Sequence, residues 1–379
     1  MKDAAVGLEE YLTLGSGIGG HLKDDPRDFT VLEVTDDGVT LTLDGDLQGD
    51  MTSGDYTHFT LVKENWETMR AVGEIAKSLG VSRNRFAFAG TKDKRAVTAQ
   101  RVSAYRIPVE RLRVVRIKDL ALKDYSYSDE SLGLGCLGGN RFRVVVRGVS
   151  GDAKERVEST ALELAGGFPN YYGHQRFGEQ RPVTHLVGRL ILGGDFEAAV
   201  MSYLAATFEG EGPELTAMRR TLMESRDYDL ALRSFPRNLG YERAMLAHLS
   251  ANPGDYKGAL RQLPRNLQTM FVHAYQSHVF NRALSECMRR SLPVESLPLA
   301  GVEVEADDIS LRIMEGDGVR REDFAVKGME ELKSRGVQRI CYAEARNLRW
   351  DVSGDTATFD FTLGAGSYAT VLLREFMKN

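Results

Sequence analysis

The stretch RFAFAGTKDKRAVTAQRVSAYRI, residues 85–107, carries the most information per residue in this chain. Arg85–Ala89 is strand-like and stops at Gly90, and Val97–Tyr105 is extended again. Between them a single carboxylate, Asp93, is set among Lys92, Lys94 and Arg95. Cationic neighbours favour the ionised form of a carboxylate, and a carboxylate in a cationic pocket is a competent nucleophile or base. The competing reading is a hydrophilic turn in which Asp93 only balances charge.

Working outward, the first third reads as mixed β and α. Asp28–Thr35 and Val39–Leu43 are strand-like, with Asp36-Asp37-Gly38 as a hairpin signal between them. Thr57–Lys63 alternates in the same way. Trp66–Leu79 has helical spacing with Asn65 as its N-cap, and Leu112–Ile117 looks extended. Arg141–Val149 is a strand, and Lys154–Leu164 an amphipathic helix closed by Gly166-Gly167. From about Gly167 the character changes. Residues 180–290 are mostly helical, with apolar faces such as Leu186/Leu190/Leu192 and Ala274/His278/Asn281. Strand patterns return at Val302–Glu305, Ile309–Ile313 and Thr356–Phe361, before a final helix Tyr368–Met377. β-rich ends around a helical middle suggest one domain inserted into another.

The composition is that of a globular chain of 379 residues, 42% hydrophobic and 27% charged. No apolar run is long enough to span a membrane, and the N-terminus lacks a secretory pattern. Three widely spaced cysteines, Cys136, Cys287 and Cys341, argue for a reducing cytoplasm and against a disulfide framework or zinc site. The net charge of −5 hides a segregation: residues 1–60 carry −10, and residues 83–118 carry +9. A block that basic in an acidic chain points to a polyanion-facing surface, because Lys and Arg release counterions from phosphates; the plainer reading is a solvated face.

Two GxGxxG matches, at 15–20 and 133–138, fail on context, since no helix follows either to hold a pyrophosphate. The acidic run Asp24, Asp25, Asp28 could hold Mg²⁺ in a nuclease-like site, although a turn before a strand explains it better. Asn140 and Phe142, and Tyr171, Tyr172 and Phe177 around Gly173-His-Gln-Arg176, could stack bases while arginines hold phosphates. Core packing explains Phe142 equally well.

FAGTKDKRAVTAQ (88–100), GGNRF (138–142), GFPNYYGHQRFG (167–178) and LGAGSYATVLLRE (363–375), in this order, resemble the TruD family of tRNA pseudouridine synthases. KDDPRDFTVLEV (23–34) resembles the family's first motif, and the overall look is archaeal. The resemblance implies an α/β (α+β) fold: a mixed-sheet catalytic domain of pseudouridine-synthase type, at 1–166 and 343–379, interrupted by a largely helical α/β TruD-specific domain at 167–342. It implies isomerisation of uridine to pseudouridine in tRNA, at position 13 of the D arm, with no cofactor and no metal. The catalytic aspartate falls on Asp93. The aromatic against the target base falls on Phe142, its polar neighbour on Asn140, the first-motif lysine on Lys23, and the third catalytic motif on Leu363, Gly364 and Gly366. Lys92 and Arg176 complete the expected substrate contacts. The implied partner is tRNA, met by a cytoplasmic monomer away from any membrane, with phosphate contacts from both the catalytic sheet and the inserted domain. A noncatalytic RNA-binding protein on the same scaffold is the rival from another class; the intact Asp93, Lys92 and Phe142 argue against it.

Overall fold

The alternation FTVLEV at 29–34 opens the sheet that dominates the first part of the chain. The computed structural model describes residues 3–45, 49 and 51–379. Its strands are β1 (Gly19–Leu22), β2 (Phe29–Val34), β3 (Tyr56–Glu64), β4 (Phe86–Phe88), β5 (Val97–Tyr105), β6 (Leu120–Ser128) and β7 (Gly139–Val149). A short pair follows, β8 (Ser296–Leu299) and β9 (Val337–Ile340), and then β10 (Arg346–Ser353) and β11 (Thr356–Leu363). The large sheet has the order β10-β11-β7-β2-β5-β3-β6, with β1 also on β7 and β4 also on β5. Within it only β2 and β5 run parallel.

The helices are α1 (Thr68–Ser78), α2 (Val109–Arg113), α3 (Ala153–Glu163), α4 (Thr184–Leu192), α5 (Phe196–Ala205), α6 (Pro213–Ser225), α7 (Tyr228–Ser234), α8 (Gly240–Ala251), α9 (Tyr256–Arg261), α10 (Arg265–Arg289), α11 (Asp308–Gly316) and α12 (Ala369–Met377). The chain divides into two compact units. The sheet unit comprises Leu12–Phe168 and Ala343–Asn379; the helical unit comprises Pro169–Tyr342 with the chain as far as Tyr11. In the helical unit α4 lies close against α10, and Gly188 permits it: a Cβ there would stand 2.0 Å from the Phe271 carbonyl oxygen.

Opposed residues in a β-ladder point to the same face. Register aligns Phe29, Val31 and Glu33 with Val144, Phe142 and Asn140, and these with Phe359, Phe361 and Leu363. Val31 also aligns with Thr98, while Thr98 and Gln100 oppose Lys63 and Leu61. One face therefore bears all of these side chains. Helix α1 covers one end of it, closing Ala71, Val72 and Ile75 over Phe59, Leu61 and Val102. Helix α12 covers the other end, with Phe376 4.9 Å from Phe359. The middle strands β2 and β7 lie between.

Several local expectations fail, each for a tertiary or capping reason. Val39–Leu43 contributes only an isolated bridge from Thr40 to Val34. Asn65 is not the cap of α1: it takes φ +56°, and the Glu67 carboxylate accepts from the amides of Met69 and Arg70 instead. Leu112–Ile117 is not extended, because α2 occupies Val109–Arg113 after Pro108. Ile309–Ile313 lies inside α11, whose cap Asp307 accepts from Ile309 and Ser310, and Val302–Glu305 forms no strand. The strands there are β8 and β9, paired antiparallel. The residues through Tyr11 group with the helical unit, and the sheet unit starts at Leu12.

Candidate active site

The loop between β4 and β5 is hung from its surroundings at three backbone points. Gln100 Nε2 donates to the Gly90 carbonyl at 3.0 Å, the Lys92 amide donates to Thr68 Oγ1 at 3.1 Å, and Lys63 Nζ donates to the Asp93 carbonyl at 2.8 Å. Thr68 in turn donates to Gln100 Oε1 at 3.0 Å, so two of these anchors are one chain of bonds. Lys63 also donates to the Trp66 carbonyl at 2.7 Å. Burial pushes its pKa down to about 8, against the upward pull of Asp93 and Glu67.

On this anchored loop Asp93 is half-buried, and its Oδ1 meets Lys23 Nζ at 2.9 Å. Lys23 holds φ +64°, a left-handed conformation that costs a residue with a Cβ about 1–2 kcal/mol. Its ammonium also lies 4.4 Å from the centroid of the Phe29 ring. Lys92 is engaged elsewhere. Its Nζ pairs with the buried Glu33 carboxylate at 2.7 Å and donates to Asn140 Oδ1 at 2.7 Å. An ammonium can only donate, so the Asn140 amide oxygen is committed to Lys92 and the NH₂ is the group left to meet an acceptor.

Phe142 is only 6% exposed. It stacks on Phe361 at 5.4 Å and meets Phe29 edge-on at 6.1 Å. Leu363 is fully buried and opposes Asn140 across the ladder. Here Gly139 is obligatory, since a Cβ would stand 2.2 Å from the Leu363 carbonyl oxygen. Past the strand end, a Cβ on Gly364 would meet open space, and Gly366 takes φ +82°.

The fold thus brings Asp93, Lys23, Lys92, Asn140, Phe142 and Leu363 to one face of the sheet unit. Arg176 belongs to the helical unit, where Nε donates to Ser277 Oγ at 3.2 Å and the guanidinium lies 5.6 Å from the Tyr172 ring. Sequence reading passed over Glu33, Lys63, Thr68 and Gln100, and with them the rings of Phe29 and Phe361. A signal existed for two of them. In FTVLEV and FTLVKE a charged residue, Glu33 or Lys63, falls in phase with the inward apolar positions. A charge so placed needs a partner, and only the fold names it.

The acidic run at 24–28 is a turn. Asp25 accepts from the Arg27 amide at 2.8 Å, and the Asp28 carboxylate takes the Arg147 guanidinium at 2.6 and 2.9 Å. That guanidinium holds the Asp28 carboxyl below the usual carboxylate range. Among the described residues, no group of three or more His, Cys, Asp or Glu side chains could hold a metal ion. No described helix is long and apolar enough to cross a membrane.

A mixed sheet of this topology, with a carboxylate, two lysines, an amide and an aromatic ring gathered on one face, defines an α/β enzyme scaffold. The model of the family described as tRNA pseudouridine synthase D (TruD) matches residues 5–301 and 296–376. A probable tRNA pseudouridine synthase D of Methanopyrus kandleri is 42% identical, covering 86% of each chain, and one of Methanococcoides burtonii is 35% identical, covering 98% of this chain and 96% of its own. The crystal structure of a putative tRNA pseudouridine synthase D from Methanosarcina mazei superposes with a TM-score of 0.78 at 33% identity, covering 99% of this chain and 97% of its own. The chain belongs to the TruD family of pseudouridine synthases, which are isomerases.

Proposed function

We propose that the protein isomerises uridine to pseudouridine in tRNA, at position 13 of the D arm, with Asp93 as the catalytic residue. The observation that carries this reading is the Asp93–Lys23 ion pair at 2.9 Å on a loop fixed at three points. Pseudouridine formation breaks the N1–C1′ bond, turns the uracil and joins C5 to C1′. C5 loses a proton and N1 gains one, so nothing is oxidised or reduced. The target must leave the base stack to be reached. In this reading Asp93 attacks the nucleotide or assists glycosidic cleavage, and Lys23 keeps its carboxylate placed. Phe142 packs on the base, and Asn140 donates from its NH₂ to a uracil carbonyl. Gly364 and Gly366, just past the buried Leu363, leave room for the ribose and its phosphates. Lys92 acts through the Asn140 amide it holds, and Arg176 adds a substrate contact from the helical unit. The sheet unit is the catalytic body, the helical unit adds RNA contacts, and the work is cytoplasmic.

The test is tRNA incubated with the full-length protein, followed by carbodiimide mapping or mass spectrometry. Pseudouridine at a single D-arm position is expected from the wild type. Asp93→Asn should form none while binding tRNA within a few-fold. Turnover at the wild-type rate in Asp93→Asn removes Asp93 from the chemistry, and tRNA bound without any product leaves a binding protein.

A further inference from the structure

The helical unit contains a recess of about 590 Å³ whose walls include Arg176, Arg265, Lys333 and Arg335. Its volume suits a ligand larger than a lone phosphate. These four cations are poorly neutralised. Arg176 bonds a serine hydroxyl, and among the described residues Arg335 reaches the exposed Glu303, at 3.5 Å. Glu331 also lines the recess and is felt by Arg265, but its carboxylate is already held by Arg261 at 2.9 Å. Elsewhere the same unit pairs its arginines closely: Arg181 and Arg219 share Glu211 and Glu242, and Arg289 binds Glu9, Glu10 and Glu286. Like charges held around one hollow repel, and an anion placed among them relieves the repulsion.

One side of the recess is apolar, formed by Leu299 and by Val337, which is 56% exposed. The polar floor is internally satisfied: Ser334 Oγ donates to Gln276 Oε1 at 3.1 Å, and Gln276 Nε2 donates to the Ala300 carbonyl at 2.6 Å. We propose that the recess holds one nucleotide of the RNA strand, with its phosphate among the four cations and its base against Leu299 and Val337. This rests on the tRNA reading above. Because the floor groups are already bonded to one another, the grip is tolerant of base identity. A strand fits better than a free nucleotide. The rim is open, with the Arg335 side chain 79% exposed, and α10 starts at Pro264-Arg265 rather than in a glycine-rich phosphate cradle.

The experiment compares full-length Lys333→Glu and Arg335→Glu with Arg237→Glu, an equal charge change on an exposed arginine outside the recess. The affinity for a tRNA transcript is measured across a salt series, beside pseudouridine yield and a melting curve. Each recess variant is expected to melt like the wild type and to bind roughly tenfold more weakly, with a salt slope lower by about one unit. Arg237→Glu should change neither. If wild type and recess variants form pseudouridine and share one affinity and slope, the recess proposal falls and the tRNA reading stands. If tRNA binds with the expected differences but no pseudouridine forms, the catalytic reading falls and the recess stands; no tRNA binding at all overturns both. Titration with uridine monophosphate separates the sources: tight monophosphate binding lost in the recess variants, with tRNA binding intact, overturns the strand in favour of a free nucleotide.

Discussion

Phe142 is a core ring that lies beside the candidate site. Packed between Phe29 and Phe361, it belongs to the core, yet it stands one inward position from Asn140 on the strand that faces the Asp93 loop. Phe142→Ala should therefore lose about 3–5 kcal/mol of stability, as for other buried aromatic rings. Phe142→Leu keeps most of the volume and should lose less than about 1.5 kcal/mol. If the ring also packs on the target base, Phe142→Leu turns over slowly per folded molecule while tRNA affinity changes little. A melting curve beside single-turnover kinetics decides: a normal rate in folded Phe142→Leu makes the ring purely structural.

At the scale of elements, α2 changes how the basic segment 83–118 works. As a strand, Arg111 and Arg113 would share a face; on a helix, two residues turn the side chain by about 200°, so they diverge. Arg111 donates to the Leu79 carbonyl, and Arg116 Nη1 donates to the Arg113 and Val115 carbonyls at 2.6 and 2.9 Å. Arg113 instead lies 5.5 Å from the Tyr125 ring. Reversing all three to Glu should weaken tRNA binding uniformly across tRNAs and lower the salt slope by about one unit per lost phosphate contact. Among single variants Arg113→Glu should cost the most affinity, because its guanidinium is not committed to backbone oxygens. Unchanged affinity and slope in the triple variant would identify the segment as a solvated face.

At the scale of the molecule, the helical unit is organised by α10. Its buried Asn281 donates to the Val6 and Tyr172 carbonyls, and Ser285 donates to the Gly7 carbonyl, which ties the start of the chain to this unit. Beside them the rings of His185 and His278 lie 4.5 Å apart, tilted by 38°, with Phe177 edge-on to both. Burial, with Arg189 nearby, pushes His185 down to about 4. Burial, then His185, Arg282 and Arg189, pushes His278 down to about 3. Unfolded histidines take up protons below about pH 6.5, whereas these remain neutral in the fold. Stability is thus full above about pH 6.5 and falls on acidification until the folded values are reached. The unfolding free energy of this unit should decline between pH 6.5 and 4, by up to about 3 kcal/mol through His185 alone at about 1.4 kcal/mol per pKa unit, read as a falling denaturation midpoint. His185→Gln should flatten that decline, whatever its effect on stability at pH 7. An equal pH slope in the variant would place the acid sensitivity elsewhere.

The sequence by itself determined the strands with an extended, mostly alternating pattern, β2, β3, β5, β7 and β11, and the position of the charged loop at a strand end. It also determined the change to helix after Gly167 and offered the candidate residues from Lys23 to Gly366. These are local: a period of two, a glycine stop or a motif is complete within a few residues. The tertiary structure decided what is paired with what. Glu33 and Lys63 read as ordinary strand charges until β2, β5 and β7 align and bring Lys92, Asn140 and the Asp93 carbonyl to them. The N-terminal residues lie more than 150 positions from the segment they join, so no window of sequence could assign them to the helical unit. The cap of α1 and the helix at Val109–Arg113 were lost for the same reason: several residues could cap or extend, and packing chose among near-equal local energies.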